Sequence, residues 1–198
     1  MAGESLDRAD LRPDGVTGDR VVHVRGAHGR VVTARSAPRL LAHRATLGPD
    51  GEPLVDGRAW ASGDVAREVE AAAGDGARLA RHDGLVRFDV LPLLVATDGA
   101  IAAFGRDGRR LRPNIVIAGV DGLAERAWEG RELRVGDAVV ALEDLRERCI
   151  MTTVDPDTNE SDAEVLRDIR RRFAGRLCLN ARVVRPATVA VGDPVEFR

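Results

Sequence analysis

The sequence predicts a mixed α/β protein, rich in strands, whose short strands close or nearly close a β-barrel with a few peripheral helices. Three observations predict it. Valine pairs flank a polar turn in GDRVVHVRGAHGRVVTAR, Val-Gly-Asp recurs between alternating valine segments in LRVGDAVVAL and TVAVGDPVEF, and few stretches carry the caps and apolar face of a helix. Closure follows because it removes the exposed edges that many short strands would otherwise leave.

In chain order, Val21, Val22 and Val24 precede the Gly26 to Gly29 turn and Val31 and Val32 follow it, which predicts a hairpin. ASGDVAREVEAAAGDG predicts a helix with Asp64 as N-cap, Val65, Val69 and Ala72 on one face, and Gly74 past its end. LVRFDVLPLLVAT reads as a buried strand ended by Thr97, Asp98 and Gly99. A short helix near Ala100 to Phe104 and a strand from Asn114 to Ala118 come next. SDAEVLRDIRRRFAG predicts a second long helix, with a Ser161 and Glu164 capping box, an apolar face of Val165, Leu166, Ile169 and Phe173, and termination at Gly175. Its opposite face, Arg167, Arg170 and Arg171, reads as solvated. Trp60 and Trp128 read as packing residues.

The 198 residues, 44% hydrophobic and 31% charged, are enough to bury a core in one domain or two small ones. A net charge of -2 provides no global basic field, so nucleic acid is not the expected partner. No apolar run reaches the roughly 20 residues of a membrane span, and no leader opens the chain, so the cytoplasm is the expected compartment. All 30 basic residues are arginine. An internal Schiff base with pyridoxal phosphate needs a lysine amine, so that chemistry is closed. His23, His28, His43 and His82 are dispersed, and no Cys-x-x-Cys, Walker or dinucleotide loop, or G-x-S-x-G elbow occurs.

The cysteines remain. Cys178 lies between Leu177 and Leu179, which marks a core residue. Cys149, in RERCIMTTVDPDTNE, has arginines at 146 and 148, the kind of neighbours that stabilise a thiolate as nucleophile or metal ligand. Strand alternation would turn both arginines away from it. On composition alone a functional and a structural Cys149 are equally open.

The stretch from Arg146 through TTVDP, together with RLRPNIVI at Arg110 to Ile117 and LNARVVRPATVAVGD at Leu179 to Asp193, resembles the signature of the MOSC family, the domain found at the C-terminus of molybdenum cofactor sulfurases. GVTGDR at Gly15 to Arg20 and VTARSAPRL at Val32 to Leu40 resemble the β-barrel domain that precedes it in amidoxime-reducing members. The resemblance implies a MOSC N-terminal β-barrel-like domain over residues 1–85, lacking its first strand, and a MOSC-type β-barrel domain over residues 86–198.

It further implies the molybdenum cofactor, with Cys149 as metal ligand and catalytic residue, a soft sulfur donor suited to molybdenum. Arg35, Arg112, Asn114 and Arg148 match cofactor-binding positions, and Asp89 and Asn180 fall near others. The implied activity is an oxidoreductase that reduces N-hydroxylated small molecules, such as hydroxylamino bases and amidoximes, with electrons from external flavin or iron-sulfur proteins. The alternative is a non-catalytic cofactor or sulfur carrier that uses a Cys149 persulfide.

Overall fold

The computed structural model describes the whole chain except residues 83, 85 and 86. The expected domain boundary between residues 85 and 86, and the start of the strand expected from Leu85, therefore fall outside the described residues. The chain forms two compact units: residues 1–5, 18–87 and 156–159 make the first, and residues 6–17, 88–155 and 160–198 make the second.

Strands β1 (Arg8–Arg12) and β2 (Gly15–Val16) belong to the second unit, where β1 also pairs antiparallel with the later strand over residues 187–190. The first unit then runs β3 (Val22–Arg25), β4 (Val31–Val32), β5 (Ala45–Leu47), β6 (Pro53–Val55), β7 (Arg58–Ala59), α1 (Gly63–Ala73) and β8 (Arg78–Arg81). It holds the small sheets β4-β3-β8 and β5-β6-β7. The valine hairpin is β3 and β4, with Val24 opposite Val32. Val65 and Val69 of α1 are fully buried beside Val24, Leu40 and Val55, with Trp60 packed against them. The N-cap of α1 is Ser62, whose hydroxyl accepts from the Val65 N–H; the expected cap Asp64 instead lies in the first helical turn, where a carboxylate also suits the helix dipole. Gly74, at φ 103°, ends the helix as its spacing predicts.

The second unit continues with β9 (Leu93–Thr97), α2 (Asp98–Phe104), β10 (Ile115–Ile117), β11 (Glu132–Val135), β12 (Ala138–Glu147), α3 (Ala163–Phe173), β13 (Arg176–Arg185), β14 (Ala187–Ala190) and β15 (Val195–Phe197). Its six-stranded sheet, in the order β10-β9-β13-β12-β11-β15, curls as a half-barrel. The first Val-Gly-Asp phrase is the turn of the β11–β12 hairpin. The second joins strands that do not pair with each other, since β14 pairs with β1 and β15 with β11. Gly136 takes a left-handed φ of 54° in the β11–β12 turn, and a Cβ there would lie 2.5 Å from the Asp193 carboxylate.

One core lies along this sheet, around Leu93, Val95, Leu133, Val140, Leu142 and Leu179, with Trp128 against it. A second joins the sheet to the helices through Phe104, Leu111, Val165, Ile169, Phe173 and Cys178. The buried face of α3 is Val165, Ile169 and Phe173, one residue per turn. Asp162, rather than Ser161, is its N-cap, accepting from the Glu164 N–H, and the helix ends on two left-handed residues, Ala174 at φ 53° and the expected Gly175 at φ 79°. Arg167 and Arg171 pair with Glu164 at the solvent. Arg172 behaves differently, because its guanidinium reaches the Ala103 and Phe104 carbonyls at the C-terminus of α2.

Gly99 sits where α2 meets the loop after β10. A Cβ there would stand 2.1 Å from the Val120 carbonyl, while the neighbouring Asp98 carboxylate accepts the N–H groups of Gly119 and Val120. These bonds hold the Asp98 carboxyl below its ordinary range.

Candidate functional site

Strand β12 delivers the candidate residues. Its register with β13 slips twice near its end: Leu145 faces Leu179 and Glu147 faces Arg176, leaving an extra residue on β13. Cys178 occupies that bulge at φ 65°, which turns it into the core, fully buried, as its leucine neighbours predicted. The slip also frees the Leu145 N–H, which the Glu129 carboxylate accepts at 2.6 Å.

Beyond Glu147 the strand ends. The Arg148 N–H still donates to the Gly175 carbonyl, and the chain then folds into a 3-10 turn over residues 150–153 with half-buried Cys149 at its N-cap. Thr152 closes this turn by donating both its N–H and its hydroxyl to the Cys149 carbonyl, and the Thr153 hydroxyl donates to the Ile150 carbonyl. Both threonines are buried. The two hydroxyls of the TTVDP stretch therefore hold the backbone under the thiol.

The RLRPN segment locks this turn from the other side. Arg110, only 11% exposed, donates to the Thr153 carbonyl at 2.8 Å and to the Asp155 carboxylate at 2.6 Å. Arg148 returns the grip by donating to the Leu111 carbonyl at 2.6 Å. Arg112 follows on an exposed left-handed residue at φ 55°. Asn114 is committed at its N–H and side-chain oxygen, both to Leu94, which aligns parallel strands β9 and β10; its Nδ2 group is left as an exposed donor.

Around Cys149 the dominant group is the Arg148 guanidinium. Its Nε is buried and has no hydrogen-bond partner. Burial pushes its pKa below the ordinary arginine value; Cys178 and Cys149 oppose that shift, and Arg146 and Arg112 reinforce it. The guanidinium stays charged regardless. So the second unit brings Cys149, Arg148, Arg112 and Arg146 into one electrostatic neighbourhood. Because β12 ends at Glu147 and Cys149 caps the 3-10 turn, strand alternation does not govern the pair Arg148 and Cys149. A buried cation with an idle donor, next to two more cations, is suited to an anionic ligand.

Asn180 is buried at 3% exposure; its Nδ2 donates to the Asp144 carboxylate at 3.1 Å and its oxygen accepts from Arg146 at 3.5 Å. Asp89 stands 3.8 Å from Arg146. Arg146, marked in the sequence only as a neighbour of the thiol, and Asp144, which no motif singled out, thus join the two loosely matched positions Asn180 and Asp89. Arg35 belongs to the first unit, on an exposed turn after β4 where its N–H donates to the Thr33 hydroxyl.

Burial pushes the Cys178 thiol up to about 11, with the Arg148 charge opposing and the Glu125 charge adding to the rise. An unfolded thiol ionises near 9.0, so the stability this protonated group provides is whole below that pH and is lost as pH rises toward the folded value, roughly 2–3 kcal/mol. The chain has neither lysine nor tyrosine to add a titration in that window. Melting curves taken across it are expected to show the loss in the parent protein and a flattened response in Cys178→Ala. An equal slope in both would exclude the assignment.

Among the described residues no helix is long and apolar enough to cross a membrane. Residues 101–196 match the family model of the MOSC domain. Human mitochondrial amidoxime-reducing component 1 is 33% identical over 132 residues, covering 57% of this chain and 39% of that protein. Human mitochondrial amidoxime reducing component 2 is 35% identical over 96 residues, covering 46% and 28%. The chain thus spans less than two fifths of the length of these relatives. The YuaD protein of Bacillus subtilis shares the fold across 97% of this chain and 85% of its own, with a TM-score of 0.50 at 14% identity. Over residues 101–196, nearly half its length, the chain is therefore similar to the MOSC domain.

Proposed function

We propose that this chain holds a molybdenum cofactor through Cys149 and reduces N-hydroxylated small molecules, hydroxylamino bases and amidoximes, with electrons from separate flavin or iron-sulfur proteins. The observation that carries the reading is the buried Arg148 guanidinium beside Cys149, with its unmatched Nε and two further arginines in range. Those residues fit the group: one soft thiol donor for the metal, and planar cationic donors for an anionic pterin phosphate. The names of the human relatives support the substrate class.

When bound, the cofactor supplies two-electron chemistry, in which an N-hydroxyl compound, two electrons and two protons give the amine and water. The chain's own share is placement. The 3-10 turn fixed by Thr152 and Thr153 presents the thiol, Arg110 and Arg148 brace the segment behind it, and exposed Ile150 offers an apolar rim for the substrate.

The test is the full chain purified from a host that makes the cofactor, analysed for metal and pterin. About one molybdenum and one pterin per chain is the expected result. Metal-free protein from such a host would overturn the reading, and a Cys149 carrying one extra sulfur atom without molybdenum would replace it with the sulfur carrier.

A further inference from the structure

We infer that Asp144, oriented by Asn180 and flanked by Arg146, reads the 2-amino-4-oxopyrimidine edge of a pterin, which makes this corner of the sheet the ring-recognition end of the site. The inference rests on the cofactor reading above but concerns different residues. Asp144 is an exposed carboxylate that makes no ion pair among the described residues, although Arg146 is two residues away. Its orientation comes instead from a neutral, buried amide: Asn180 donates to Asp144 with one end and accepts from Arg146 with the other. Arg146 turns its charge toward Asp89, at 3.8 Å.

Burying Asn180 with both ends of its amide engaged costs desolvation and side-chain freedom. The result is a carboxylate and a guanidinium held side by side and not neutralising each other. That pair presents acceptor, then donor. The matching ligand edge presents two adjacent N–H donors, then a carbonyl acceptor, which is the pattern of a 2-amino-4-oxopyrimidine ring. Reach agrees with this assignment. Four residues lie between Asp144 and Cys149, so the two are at most about 16 Å apart along the chain, within range of a fused-ring ligand tethered at the thiol. Guanine has the same edge, so the ring system itself must be tested.

The experiment uses the full chain without molybdenum and follows fluorescence on titration with pterin-6-carboxylate, with lumazine-6-carboxylate, in which an oxo group replaces the 2-amino group, and with GMP. The parent protein is expected to prefer the pterin over the lumazine by about tenfold, near the lower end for a bidentate pair, and to bind GMP more weakly than the pterin. Asp144→Ala is expected to abolish the pterin preference with an unchanged circular dichroism spectrum and only a small drop in melting temperature, since it removes the acceptor of the buried Asn180 amide. Asn180→Ala is expected to weaken the preference through lost orientation. Equal binding of pterin and lumazine by the parent, a preference that survives Asp144→Ala, or GMP bound as tightly as the pterin would each overturn the inference. Failure of the cofactor reading is distinguishable: pterin selectivity without molybdenum on Cys149 leaves the ring site standing, and molybdenum on Cys149 without pterin selectivity leaves only the metal end.

Discussion

On the proposed function, Cys149→Ser is expected to reduce molybdenum content to background, and with it reductive turnover at least a thousandfold, on the order of the 4 kcal/mol by which such a loss raises the barrier, while the melting temperature stays where it was. The loss follows from ligand chemistry, since a serine hydroxyl is a hard donor with a far higher pKa than a thiol and does not replace a soft thiolate on the metal. Retained stability follows from local structure. Cys149 takes part in the fold through its backbone: its carbonyl receives both Thr152 donors, and its side chain makes no cap hydrogen bond. Serine is favoured at the N-cap position that Cys149 occupies, so the 3-10 turn is preserved or slightly strengthened. Metal analysis, turnover of an amidoxime with a chemical reductant, and thermal melts measure the three quantities. A variant that keeps its molybdenum would remove Cys149 from the metal.

Arg148→Met is expected to separate stability from function in the opposite sense. Removing one partner of a buried charged contact typically costs 2–5 kcal/mol, so cofactor affinity is expected to fall on the order of a hundredfold or more. The cofactor-free protein is expected to be unchanged or more stable. It gives up one hydrogen bond to the Leu111 carbonyl and in return loses a guanidinium whose burial, unmatched Nε and proximity to Arg146 and Arg112 all oppose the charged form. Methionine keeps the packing of the aliphatic stem. The comparison needs cofactor content and urea unfolding of both proteins in the empty state. Empty Arg148→Met unfolding several kcal/mol more easily than the parent, with cofactor content unchanged, would limit Arg148 to its bond with the Leu111 carbonyl and remove it from binding.

Local order was readable where one chain segment decides it. The spacing of Val65 and Val69, and of Val165, Ile169 and Phe173, marked both long helices because burial on a helix repeats with its own turn. The valine hairpin needed only its turn residues and flanking strands. Caps were less legible. Asp64 and Ser161 are good cap residues, yet Ser62 and Asp162 hold the positions, because several neighbouring side chains could fill them and docking of the buried face sets which residue begins the helix. The two Val-Gly-Asp phrases share a grammar and part in outcome: nothing local tells β14 to leave β15 for β1, some 180 residues earlier in the chain, a pairing settled by the core that Leu11 enters.

By itself the sequence determined the β-rich fold with few helices, the absence of lysine chemistry, the burial of Cys178, and through its motifs the similarity to the MOSC domain. Only the tertiary structure decided which charges gather there. Arg110 and Arg148 grip across some forty residues of chain, the β12–β13 slip turns Cys178 inward, and Asn180 joins Asp144 to Arg146. The physical reason is that hydrophobic periodicity is written within a single element, whereas the field around a thiol depends on side chains from several elements whose register is fixed only when the sheet closes over its core.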